Sequence, residues 1–447
     1  MRRRISRTLV RLQTILPFML FAALTPLNSS AQAWTFKEVH EFCSKRFCAD
    51  GYLPYGRLTL AQSGDFYGTT TYARTDLDLP GSIYQLSFDP AKQKWKLHTL
   101  YRFCPGGYPC SDGSYPIAGV ITDSDGNLYG TTSDGGTQHG GVVFKLTPGD
   151  HPHRWSLEVL YRFCSVGECA DGQVPSSLLT YQGASAGQPY DGASPLYGVT
   201  EDGGKKGRGT VYELLPNGSG WTETVLYSFC SLTNCADGNL PYGAVVLDGS
   251  GNIFGSTGQG GKQNSGVIFE LTQSGGSWTE TVLHHSCSQR ECRDGATPRE
   301  LIMDAGGTLF GTTYSGGSTR KGCCGTIFKL VPNGTQSAYD VLYNFCSQKN
   351  CRDGANPSAP LSLDPLGNIF GTTEAGGSND IQDGGGGTVF ELSGSTLRVL
   401  YGFCAEHNCG DGKDPPSGLT MDGSGNLIGT TLRGGIDDGG TVFELSP

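Results

Sequence analysis

Sixteen cysteines are the residues best placed to do chemistry, and fourteen stand in pairs: Cys43 and Cys48, Cys104 and Cys110, Cys164 and Cys169, Cys230 and Cys235, Cys287 and Cys292, Cys346 and Cys351, Cys404 and Cys409. An even count at a recurring spacing reads as disulfides formed in an oxidising compartment. Zinc is the rival, but each pair offers two ligands where a structural site takes four, and no histidine recurs with the pairs. The remaining two, Cys323 and Cys324, are adjacent in "STRKGCCG". They would close a strained ring, either as a local brace or to stiffen a ligand loop carrying Arg320 and Lys321.

Every pair is followed by Asp-Gly-x-x-Pro, from Asp50 to Pro54 in the first copy to Asp411 to Pro415 in the seventh. Seven such carboxylates could hold calcium, yet each adjoins its own glycine turn and few oxygen ligands surround it, which favours a turn. The eight histidines are scattered. His284 and His285 read as local substitutions for a tyrosine and its neighbour, and His151 and His153 fall in a turn; neither pair has an acid in its own motif. Glycine-rich loops such as "GGTQHGG" precede strands and lack the Lys-Ser/Thr of a phosphate loop. No catalytic, cofactor-binding or metal-ligating residue is assigned, and no cofactor is expected.

The elements that position these groups repeat. The first cysteines of the pairs are spaced by 61, 60, 66, 57, 59 and 58 residues, room for four short strands and their turns. After the proline comes an apolar stretch, strand A ("GAVVLD"), then a turn ("GSGN") and strand B ("IFGST", elsewhere "LYGTT"). A Gly-Gly loop leads to strand C ("GVIFEL"), whose aromatic recurs as Tyr84, Phe144, Tyr212, Phe269, Phe328, Phe390 and Phe443. Strand D ("WTETVLYSF") closes the unit and puts Tyr227 and Phe229 on one face. Matching aromatics in every unit are expected to pack between blades; a carbohydrate platform is the sharper alternative.

The chain beyond residue 33 starts at a strand D ("WTFKEVHEF") and finishes at a strand C ("GGTVFELSP"). Pairing the first strand with the last three completes a seventh unit and leaves no open edge. The expected fold is all-β: one seven-bladed β-propeller over residues 34–447, closed by the N-terminal strand D. Its innermost segments carry little charge, with Arg57, Arg299 and Glu300 as exceptions, and no carboxylate pair or histidine cluster suited to acid/base or metal chemistry. Two departures from the repeat are candidate specificity loops: "YQGASAGQPYDGASP" in the third unit and "TYARTDLDLP" in the first.

The blocks "GNLYGTT", "GVVFKL" and "VLYRFC" make the chain resemble the GloVer tandem repeat of bacterial choice-of-anchor proteins, across all seven units. The resemblance implies a secreted or surface protein, β-propeller-like, with no biochemical activity to carry over. Members of that family end in an anchoring segment; this chain stops at Pro447, which favours release.

The first 33 residues have an arginine-rich start, an apolar run from Ile15 to Leu24 and Ala31-Gln32-Ala33, the order of a signal peptide cleaved before Trp34. Removing its five arginines takes the net charge from -10 to -10 - 5 = -15. So acidic a surface repels phosphate backbones and anionic lipid, so neither nucleic acid nor a membrane is an expected partner, and no membrane span follows the signal. The expected protein is a secreted monomer that binds or scaffolds, with a glycan or another exported protein as ligand. A secreted polysaccharide lyase or hydrolase, its site built from the irregular loops, is the alternative.

Overall fold

The computed structural model describes residues 34–447 except 74–79, 151–153, 219, 318–323 and 378–384. Among the described residues there is no α-helix, and no helix is long and apolar enough to cross a membrane. The strands form seven antiparallel sheets, the blades of a propeller. Blade 1 runs outward through strands A to D: Thr59–Leu60, Phe66–Thr70, Ser82–Asp89 and Lys94–Arg102. Blade 4 has two inner pieces, Asn239–Pro241 and Val246–Leu247, both paired with Ile253–Gln259. In blade 7, Thr35–Glu41 lies along Thr441–Ser446, from Thr35 opposite Ser446 to Glu41 opposite Thr441, so the N-terminal strand completes the ring.

Two features of the repeat have a packing cause. Each strand-C aromatic is fully buried and sits directly across from the glycine of the strand-B block, as Phe269 does from Gly255. A Cβ on that glycine would overlap the Phe269 ring, so glycine there makes room for an aromatic. The phenylalanine that precedes six of the seven cysteine pairs then meets the aromatic of the following blade edge to face: Phe229 with Phe269 at 5.1 Å, Phe345 with Phe390 at 5.2 Å, Phe403 with Phe443 at 5.1 Å. Packing between blades is therefore what the recurring aromatics do. At one seam the phenylalanine is replaced by Ser286, and Tyr339 fills in, stacking on Phe328 at 4.9 Å and on His284 at 3.8 Å.

Polar bonds cross the same seams. Thr69 Oγ1 donates to the Ala118 carbonyl (2.8 Å) and Ser256 Oγ to the Arg299 carbonyl (2.9 Å), each reaching the inner strand of the next blade. Blade 7 reaches blade 1 through Thr420 Oγ1 to the Leu58 carbonyl (2.5 Å) and through Leu53 N to the Gly439 carbonyl (3.0 Å). The proline of each unit seats against the glycine that opens strand C of the preceding blade. Pro298 on Gly266 is one case and Pro54 on Gly440 closes the series.

Candidate functional site

The fourteen paired cysteines form seven local bridges: Cys43–Cys48, Cys104–Cys110, Cys164–Cys169, Cys230–Cys235, Cys287–Cys292, Cys346–Cys351 and Cys404–Cys409. Each braces the link from strand D of one blade to strand A of the next. Arg320, Lys321 and Cys323 lie outside the described residues, as do His151 and His153 and most of the first unit's irregular loop. Cys324 is buried and brings its sulfur within 4.8 Å of those of Cys346 and Cys351. Two of those three sulfurs are bonded to each other, so the trio is not a metal donor set.

The seven aspartates do more than turn the chain. Asp237 is fully buried and accepts from Ser231 N (2.7 Å), Ser231 Oγ (2.8 Å), Leu232 N (3.2 Å) and the Tyr227 hydroxyl (2.8 Å). Its oxygens are thus consumed by the bridge loop, which leaves the calcium reading without ligands. The pattern recurs with small changes around Asp171, Asp353 and Asp411. In two copies histidine stands for tyrosine: His40 Nε2 lies 3.2 Å from Asp50 and His284 Nε2 3.1 Å from Asp294. This corrects the expectation that His284 lacks a companion acid. Its partner is the motif aspartate ten residues on, brought back by the bridge loop. Burial would raise Asp294, but hydrogen bonds from His284, Ser288 and the Gln289 amide outweigh it and hold it at about 2.

Charge does gather near the axis, where Arg299 and the tyrosines that begin two innermost segments meet acids from other positions of the repeat. Tyr55 of blade 1 and Tyr242 of blade 4 put their hydroxyls 3.4 Å apart across the channel, on the face that carries the cysteine bridges. The Arg299 guanidinium is held between the rings of Tyr242 (4.5 Å) and Tyr314 (4.6 Å), and the Tyr314 hydroxyl donates to Glu374 (3.2 Å). Beside them opens a cavity of about 340 Å³ lined by Tyr55, Tyr314, Asn356, Glu374, Asp414 and Arg433. Burial pushes the Asp414 carboxyl up, against the pull of Lys413 and Arg433; burial likewise raises Glu201, which Ser176 and Arg299 oppose.

Three variable positions of each unit build this mouth. One is the residue after the proline: Tyr55, Ile117, Ser176, Tyr242, Arg299, Ser358 and Pro416. The second is the residue before the proline, such as Asn356 or Asp414, and the third follows the Gly-Thr-Thr block, as Tyr314 and Glu374 do, or its Gly-Val-Thr counterpart, as Glu201 does. Of these, only Arg299 was singled out from the sequence. The signal for the rest is internal variation where the neighbouring columns repeat.

Below the mouth, Arg57, Leu178 and Glu300 line both the channel and a further compartment toward the opposite face. The third unit's insertion lines this compartment, which has a volume of about 410 Å³.

The model of a family described as the Gloeobacter/Verrucomicrobia repeat matches residues 25–194 and 323–447. Two solved structures are similar in fold. One is the extracellular domain assigned to a hybrid two-component system of B. thetaiotaomicron, 12% identical, with a TM-score of 0.52 over 91% of this chain and 39% of that one. The other is the extracellular domain assigned to a one-component system of the same organism, 13% identical, with a TM-score of 0.50 over 93% of this chain and 42% of that one. This chain therefore spans about two fifths of their length. No curated protein sequence matches it.

Proposed function

The chain belongs to the Gloeobacter/Verrucomicrobia repeat family, and on that premise we propose that it is a secreted, disulfide-stapled binding module that takes a glycan at the axial mouth on the bridged face. The observation that carries this is the Tyr242–Arg299–Tyr314 stack hydrogen-bonded to Glu374, set beside Tyr55, Asp414 and Arg433. Aromatic faces with a few fixed acceptors and donors suit a flat, hydroxyl-rich ligand. The units keep their aromatics, bridges and aspartates, yet at the mouth they differ, as a site specific for one ligand requires. The seven bridges, the signal-like first 33 residues and the likeness to extracellular domains support an extracytoplasmic location.

The test is a thermal-shift screen of the oxidised protein against neutral and acidic oligosaccharides, followed by calorimetry. A ligand that binds the folded form raises the melting temperature by mass action. Glu374→Gln should weaken that ligand tenfold or more without lowering the melting temperature of the free protein. Capture of an exported protein with no response to any sugar would overturn the glycan. Release of reducing ends or unsaturated sugars would replace binding by turnover, with Glu201, Glu374 and Asp414 as the acids to substitute first.

A further inference from the structure

The compartment on the opposite face is built differently from the mouth. Leu60, Ile121, Leu178, Val246 and Ile302 give its wall a largely apolar lining, and its volume of about 410 Å³ is within the range of sites for small organic ligands, about 300–1,000 Å³. One side is made by the insertion found only in the third unit. That insertion is tied to the blades on either side of its own. Tyr190 N donates to the Thr122 carbonyl (3.3 Å) in blade 2, while Gln182 Nε2 donates to the Asp248 carbonyl (2.9 Å) and Ser185 Oγ to the Leu247 carbonyl (3.1 Å) in blade 4. Tyr190 is itself fully buried and meets the Tyr129 ring at 5.0 Å. The loop is therefore a fixed wall, anchored at three points.

At the floor stand two opposite charges from distant blades. Arg57 donates one long hydrogen bond, to Ser362 Oγ at 3.4 Å, and Glu300 lies against Gly243. Among the described residues neither has an ion-pair partner within 4 Å, although each feels the other's charge across the channel. Burial lowers the Arg57 guanidinium and raises the Glu300 carboxyl, so the charged form of each is costly here until a counter-charge meets it. An anionic guest would answer Arg57 and leave Glu300 stranded; a cationic guest would do the reverse. A neutral apolar guest would strip water from both and return nothing.

We propose that this compartment binds a small zwitterion with an apolar body, the chemistry of a dipeptide of apolar residues with both termini free. Its carboxylate pairs with Arg57, its ammonium with Glu300, and its side chains lie against Leu60, Ile121, Val246 and Ile302. The compartment opens on the face opposite the glycan mouth and shares Arg57, Leu178 and Glu300 with the channel between them; neither reading depends on the other.

The experiment is calorimetry of the oxidised full chain with leucyl-leucine, N-acetyl-leucyl-leucine and leucyl-leucine amide. The free dipeptide should bind, and blocking either end should weaken it tenfold or more. In Glu300→Gln the N-acetyl form should lose its disadvantage, and in Arg57→Met the amide should lose its own. Leu60→Trp, filling the wall from one side, should abolish binding while leaving the melting temperature unchanged. Equal binding of blocked and free forms would overturn the charge pairing, and no binding of leucyl-leucine would overturn the site. If the two floor variants fail to fold, the analogue series on the unaltered protein still decides.

Discussion

Asp237 shows how much one side chain carries here. Four donors converge on a fully buried carboxylate, and three of them come from the loop that Cys230–Cys235 closes. Asp237→Asn offers an amide N–H where a donor already points, so it should cost about 2 kcal/mol, read from the urea midpoint. A change within 0.5 kcal/mol would mean that the bridge alone orders the loop. Asp-Gly-x-x-Pro was legible as a turn because Gly238 adopts a φ of 99°, where side chains are rarely found. The network was not legible, because its tyrosine lies ten residues upstream, in another blade's outer strand. Only the bridge and the bend bring the two together, and the same blindness hid the acid that partners His284.

Between blades, the seam of proline on glycine is the tightest repeated contact. A Cβ on Gly266 would come within 2.7 Å of Pro298 Cδ and closer still to the Thr257 carbonyl, whereas one on Gly251 would meet open space. Both glycines have a positive φ, 91° and 84°. Gly251→Ala therefore pays for backbone strain alone, about 1 kcal/mol, and Gly266→Ala should cost roughly 2 kcal/mol more through the clash. Equal falls in melting temperature for the two variants would show that the seam gives way freely. The strands themselves were readable from alternation and from blocks such as Gly-Thr-Thr, since each blade imposes the same needs on the same columns. The mouth was not, because its residues are the ones that break the columns, and only the ring places Tyr55, Tyr242, Tyr314 and Glu374 together. Their chemistry stands in no single motif.

Across the whole ring, pH acts at several seams at once. Glu223 and Glu280 are pushed up to about 8, first by burial and then by Asp171 and Asp237 respectively, and Glu38 to about 7 by burial and by Glu41, Glu406 and Asp411. Unfolded, these carboxyls ionise near 4.5, so the folded protein holds their protons more tightly. Their contribution is fully present below that value and is lost as pH rises through 7 to 8. Asp294, held at about 2 against an unfolded 3.8, works the other way, contributing above 3.8 and failing as pH falls toward 2. The melting temperature should therefore peak between about pH 4 and 5 and fall toward pH 8, with Glu223→Gln and Glu280→Gln together flattening the fall. A melting temperature that climbs from pH 5 to 8 would contradict this assignment.

The closing strand also decides how the molecule meets a pull. Thr35 faces Ser446 and Glu41 faces Thr441, so both ends of the described chain leave blade 7 from the same edge of one antiparallel pair. Tension between the ends would load the bond nearest Thr35 first, then its neighbour, opening the pair like a zipper instead of shearing six pairings together. Such a ring yields at low force when drawn by its two ends, whatever its resistance to heat. As a link in a load-bearing tether it would be the first to part; held by one end, it feels no such strain.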